Sequence, residues 1–174
     1  ENSFSRSIYV KNQLVEWNLT PLVSSSMKQL NALLIDFGPA PPTSETVDLV
    51  AQNIKYSKEA RQALESMSST GKRGYGGLLD GNINVIGNQM NFQHESLRKL
   101  GVSTHQIDDF LEKASKLVYG GKITGGGGGG HAVLLPIPEK MNLLQKLIQQ
   151  GKFTMHQVFL GGSGLEVESL ESFI

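Results

Sequence analysis

The chain has 174 residues, 39% of them hydrophobic, with 16 basic and 16 acidic side chains and no cysteine. That length supports one core or at most two small ones, and the zero net charge provides no overall field toward nucleic acid or an anionic membrane. Disulfides and thiolate metal sites are excluded, which fits a reducing, cytoplasmic compartment.

The apolar runs, such as Ala132 to Leu135, are too short to span a bilayer, and the opening ENSFSRSIYV lacks the apolar core of a signal peptide. A soluble protein is expected. Along the chain, residues 8–17 are rich in β-branched and aromatic side chains and read as a strand, and TPLVSSSMKQ reads as a loop. Leu30 to Phe37 is a compact apolar run, a buried strand ending at Gly38. Three prolines, Pro39, Pro41 and Pro42, then make a stiff turn, after which Thr43 or Ser44 can cap a helix carrying Val47, Leu49, Val50 and Ile54. A second helix is expected over Ser57 to Ser68, ended by Gly71 and Gly74, and a third over Gly76 to Lys99, closed by Gly101. Ser103 and Thr104 can cap a further helix, with Ile107, Phe110, Leu111, Ala114 and Leu117 on one face, stopping at Gly120. HAVLLPI reads as a buried strand, Glu139 to Gln149 as an amphipathic helix, and Thr154 to Leu160 and Leu165 to Leu170 as strands joined at GGSG. This order suits an α+β layer, an antiparallel sheet covered on one face by helices.

Of the 20 glycines, eight fall between Gly120 and Gly130. Such a tract is either a flexible linker or a loop whose backbone N–H groups converge on an anion or on another backbone. Its position, tied between KIT and the apolar AVLLPI, favours the loop, although it is neither GxxxxGK[ST] nor GxGxxG. Among the individual residues, Lys122 is the one cation beside the glycines and can attract phosphate, but a lysine at a strand end is more often solvated. His94 beside Met90 and Leu97 reads as a packing residue, and His131 as a polar neighbour of the loop, since no histidine pair stands at metal-ligand spacing. Asp108 and Asp109 suit a helix start, Asp36 stands at the exit of its strand, and Arg98 and Lys99 read as a solvated helix end.

The run Lys122-Ile123-Thr124 followed by Gly125 to Gly130 resembles the third signature of the GHMP kinases, K-[LI]-T-G-A-G-G-G-G-C in mevalonate kinases. Met90-Asn91-Phe92-Gln93-His94 with Leu100-Gly101-Val102-Ser103 and Ile107-Asp108 is similar to the same group's M-N-x-x-H and L-G-V-S segment. Leu34-Ile35-Asp36-Phe37-Gly38 with Thr43 and Val47 resembles L-I-D-T-G, and Leu160-Gly161-Gly162-Ser163-Gly164 resembles L-G-G-x-G. Gly126 replaces an alanine, His131 a cysteine, and Pro39 to Pro42 lack the arginine of V-P-R-S.

The resemblance implies a ferredoxin-like GHMP kinase C-terminal domain over 30–174, with 1–29 as the end of an N-terminal kinase domain or the connection to it. It implies an ATP- and Mg2+-dependent phosphoryl transfer to mevalonate, a homodimer as the full-length protein, and no nucleic-acid or membrane partner. Catalytic residues and most nucleotide contacts are expected in a preceding half. Thr124, Gly125, Gly126, Gly127, Gly128 and Gly129 would pack against the ATP phosphate loop, with Thr43 on the substrate side and no metal ligand in this chain. In the full-length enzyme a Gly127→Val change is expected to collapse activity and leave the fold largely intact. Another GHMP kinase, acting on phosphomevalonate or a sugar, and a non-catalytic α/β binding module remain alternatives.

Overall fold

The computed structural model describes residues 3–10, 13–21 and 30–160. Strands β1 (Ser3–Val10) and β2 (Gln13–Pro21) pair antiparallel as a two-stranded sheet. The strand expected over 8–17 is therefore split between two, because the chain reverses between Val10 and Gln13. The expected loop TPLVSSSMKQ begins inside β2 and otherwise lies largely outside the described residues, as do GGSG and the strand over 165–170.

Strands β3 (Leu30–Asp36), β4 (Val118–Thr124), β5 (His131–Pro136) and β6 (Thr154–Leu160) form an antiparallel sheet in the order β4-β5-β3-β6. Four helices link β3 to β4: α1 (Thr43–Tyr56), α2 (Lys58–Leu79), α3 (Ile83–Lys99) and α4 (His105–Ala114). A 3-10 turn (Pro138–Lys140) and α5 (Met141–Gln150) link β5 to β6. This is the βαββαβ, ferredoxin-like arrangement, and the α+β class holds.

Strand alternation divides the core. Leu33 and Ile35 lie on one face with Leu134, packed against Phe110 and Ala114 of α4 and Leu144 and Ile148 of α5. Leu30, Ala32 and Leu135 point the other way and meet Leu78 of α2 and Ile83, Ile86 and Met90 of α3. Helices thus reach both faces rather than one. The sheet is apolar on both sides of β3 and β5, so each face needs a cover.

Three helix boundaries differ from expectation. Pro42, not Thr43 or Ser44, occupies the N-cap of α1, with φ −53° and ψ 139°; it makes no side-chain cap, so Thr43 is already helical. Helix α2 runs through Gly71, Gly74, Gly76 and Gly77 to Leu79, and the break comes at Gly81, whose φ is +67°. Packing along α3 outweighs the glycine cost of about 1 kcal/mol per position. At Gly77 an added Cβ would lie 3.0 Å from Val85 Cγ1, so this glycine sits where the two helices close on one another. Asn82 then starts α3 by accepting the Val85 N–H at 3.2 Å. Helix α4 stops at Ala114, not Gly120, because Gly120 and Gly121 belong to β4.

The reason those two glycines are in a strand is the approach of α3 to the sheet edge. A Cβ on Gly120 would fall inside contact distance of the Gly87 carbonyl, and one on Gly87 would meet the Tyr119 carbonyl. Backbone touches backbone there. We expect Gly120→Ala to destabilise the chain by about 1–3 kcal/mol or more through overpacking. Gly76→Ala, with nothing within 4 Å, should be neutral or stabilising by up to about 1 kcal/mol. Urea midpoints of the two variants test this, and equal effects would contradict the close-approach account.

Candidate functional site

The exit of β3, the start of α1, the turn after α3 and the β4–β5 hairpin converge on Gly125 to Gly130. Phe37 N–H donates to the Gly130 carbonyl at 2.8 Å, and Gly130 N–H returns to the Gly38 carbonyl at 2.9 Å. Gly128 N–H donates to the Val102 carbonyl at 2.8 Å. The tract is a built hairpin, not a linker. Phe37 is itself held in a ring cluster, 5.4 Å from Phe110 and 4.6 Å from Phe153 between centroids, so the β3 side of the loop rests on the core.

Gly127 has φ +84°, and a Cβ there would collide with the Val102 carbonyl; Gly129 has φ +144°, and its Cβ would collide with the Pro39 carbonyl. Both the left-handed backbone and the space demand glycine. The expectation that Gly127→Val would spare the fold is therefore corrected: the substitution strains this domain before any partner is considered. Pro41, in the segment that lacks the arginine, has its ring 2.7 Å from where a Gly128 Cβ would stand.

Gly126 differs from its neighbours. Its φ is not positive, and an added Cβ would lie 3.3 Å from the hydroxyls of both Thr43 and Thr46. Thr46 is buried and donates to the Thr43 carbonyl at 2.9 Å. Thr43 lies beside the glycine hairpin. Thr46 was not singled out from sequence, though its i, i+3 spacing from Thr43 puts both hydroxyls on one helical face.

The start of α1 has no side-chain cap; Gly125 and Gly126 form a turn that Gly127 closes on Thr124, and among the described residues the N–H groups of Gly126 and Gly129 have no protein partner. Unspent N–H donors at a glycine hairpin and a helix N-terminus suit an anionic oxygen, with the helix dipole adding positive potential. Thr124 is exposed at the end of β4 and pairs across the sheet with His131, which in turn pairs with Asp36. The Asp36 carboxylate accepts the Gly38 N–H at 2.8 Å, so it shapes the turn. Lys122 is half-buried on β4, and burial pushes its ammonium below the ordinary lysine value. It is not the freely solvated lysine that its position in the sequence favours.

No group of three or more His, Asp or Glu side chains able to hold a metal occurs among the described residues. The polar groups that the hairpin itself presents are backbone N–H donors, a chemistry suited to anionic oxygens rather than to a cation.

On α3, Asn91 Oδ1 accepts the Gly121 N–H at 2.9 Å and His94 Nδ1 accepts the Ile123 N–H at 3.4 Å. His94 Nε2 meets Asp108 Oδ1 at 3.1 Å, and Ser103 Oγ donates to the same oxygen. Burial, the largest influence, pushes the His94 imidazole below its ordinary value; Asp108 and Glu95 oppose that, and Arg98 adds to it.

With its folded value below the unfolded one, the unfolded chain binds more protons between the two, so this contribution to stability is complete above about pH 6.5 and declines as pH falls toward the folded value. We expect urea stability to drop over that interval, and His94→Gln to lose that part of the pH slope. Identical slopes in both proteins would rule the effect out. Separately, Gly126→Ala should change stability by less than about 1 kcal/mol and Gly127→Ala by more than about 2 kcal/mol, read from denaturant midpoints.

Residues 75–146 match the family model described as GHMP kinases C terminal. Over 61 residues the chain is 38% identical to a mevalonate kinase of Methanocaldococcus jannaschii, covering 35% of this chain and 20% of that protein. The structure of L. major mevalonate kinase in complex with R-mevalonate superposes with a TM-score of 0.77 at 16% identity, covering 94% of this chain and 50% of that one. Streptococcus pneumoniae phosphomevalonate kinase, solved with phosphomevalonate and AMPPNP, gives 0.66 at 17% identity, over 82% and 43%. The chain spans half or less of each of these proteins. Its fold is that of a GHMP kinase C-terminal domain.

Proposed function

We infer that the chain works as the C-terminal domain of a GHMP kinase, and we propose that this kinase is an ATP-dependent mevalonate kinase. Residues 30–174 would form the domain, and 1–29 would belong to the preceding kinase domain or to the connection. The observation that carries the reading is the glycine hairpin with unspent N–H groups, set beside the uncapped start of α1 on a GHMP kinase fold. The 38% identity to a mevalonate kinase supports the choice of substrate.

Phosphoryl transfer depends on placing the attacking hydroxyl in line and on neutralising charge that spreads over the transferred group. The alcohol oxygen bonds to the γ-phosphorus, the bond to the bridging oxygen breaks, ADP leaves, and the hydroxyl proton passes to a base outside this chain. In that reaction Gly126 and Gly129 would direct N–H dipoles at phosphate oxygens or at the loop that carries them. Thr124, Gly125, Gly127 and Gly128 would shape the same wall and exclude water. Thr43 would stand on the substrate side. Magnesium would be held by residues of the preceding domain, and the whole protein would act as a cytoplasmic homodimer.

The longer polypeptide that contains this chain tests the reading. ADP release should be seen with mevalonate and ATP, with 31P NMR showing a new phosphomonoester, while this chain alone turns nothing over. Faster turnover of phosphomevalonate or galactose would replace mevalonate as the substrate, an outcome that the likeness to a phosphomevalonate kinase makes worth measuring. No turnover of any alcohol would remove the kinase assignment.

A further inference from the structure

We propose that His94 and Asp108 are positioning residues that fix the glycine hairpin from both of its flanks. The link to phosphoryl transfer rests on the function proposed above; the link to the hairpin rests on geometry alone. A loop of six glycines has no side chains with which to anchor itself, so its place is inherited from its stems and from the backbone it touches.

One flank is β4, the edge strand that leads into the hairpin. Its outward N–H groups at Gly121 and Ile123, alternate residues of the strand, are taken by Asn91 and His94, one turn apart on α3. An edge strand otherwise has those donors to spare. The other flank is the turn after α3. Val102 accepts the Gly128 N–H and packs on Gly127, and the next residue, Ser103, donates to Asp108 Oδ1. His94 reaches the same oxygen. One carboxylate oxygen therefore ties together the strand before the hairpin and the turn beneath it.

The two ring nitrogens of His94 have fixed roles. Because Nδ1 accepts from a backbone N–H, Nε2 must carry the proton and donate to Asp108. Only the neutral ring can do both, and with 12% of its side chain exposed the ring is held where the neutral form is favoured.

The test measures amide exchange in this chain as wild type, His94→Phe, Asp108→Ala and Asp108→Asn. Loss of a hydrogen bond to a charged group should speed exchange at Ile123 and Gly128 by about tenfold or more in the first two variants, with Leu134 of the central sheet unchanged. Asp108→Asn, which keeps an acceptor, should restore most of the protection. Unchanged exchange at Ile123 and Gly128, or equal acceleration at Leu134, would overturn the proposal, the latter by showing a general stabilising role only.

In the longer polypeptide the same two variants should lower kcat by about tenfold or more with KM nearly constant, the pattern of misplaced groups rather than lost binding. An unaltered kcat alongside the altered exchange would remove the role in transfer. If the wild-type polypeptide phosphorylates no alcohol while the exchange pattern is found, the kinase assignment fails and the positioning of the hairpin stands.

Discussion

The contact between α3 and the edge of the sheet is the constraint on which the site depends. It exists because Gly87 and Gly120 present no Cβ to one another, so helix backbone can lie against strand backbone. Once α3 is that close, Asn91 and His94 are short enough to reach the outward amides of β4. A single methyl at either glycine would hold the helix off. The edge amides would then turn to water, and the stem of the glycine hairpin would lose its support.

The hairpin repeats this device. Gly127 against Val102 and Gly129 against Pro39 are places where main chain meets main chain, each with a positive φ. Glycine therefore serves this domain's own packing before it serves any ligand. The proline turn takes part as well, since Pro41 closes on Gly128 and fills one side of the loop with a rigid ring. On the function proposed here, the groups left to meet a phosphate are the remaining N–H donors and the start of α1. These groups are fixed dipoles rather than ionised side chains, which suits a chain with no net charge: the positive potential is local and does not need an excess of lysine and arginine.

Much of the fold was legible in the sequence because its elements follow simple periodicities. Leu30 to Phe37 and HAVLLPI are short apolar runs bounded by turn residues, and both are central strands. Thr104 caps its helix by accepting the third amide onward, and Gly101 closes α3 with φ +82°. The failures lie where local preference and packing disagree. Gly71 and Gly74 read as stops, yet α2 passes through them because α3 lies along it. Gly120 reads as a helix end, yet it is strand because Gly87 faces it. Thr43 and Ser44 are better caps than Pro42 in isolation, but Pro42 already enters the helix with extended backbone.

For the candidate site the division is similar. From the sequence came the built glycine loop and the resemblance of KITGGGGGG and MNFQH to a family signature, and through that resemblance a substrate-side Thr43. Their spacing and chemistry are properties of consecutive residues, and consecutive residues are what a sequence displays. Only the tertiary structure decided that Gly127 is needed by Val102, that Thr46 shares the wall with Thr43, and that His94 and Asp108 meet across 14 intervening steps of the chain. Those relations are set by which backbones can approach without a Cβ, and by which amides an edge strand leaves unpaired. Both are distances between segments remote in sequence, so no local pattern encodes them.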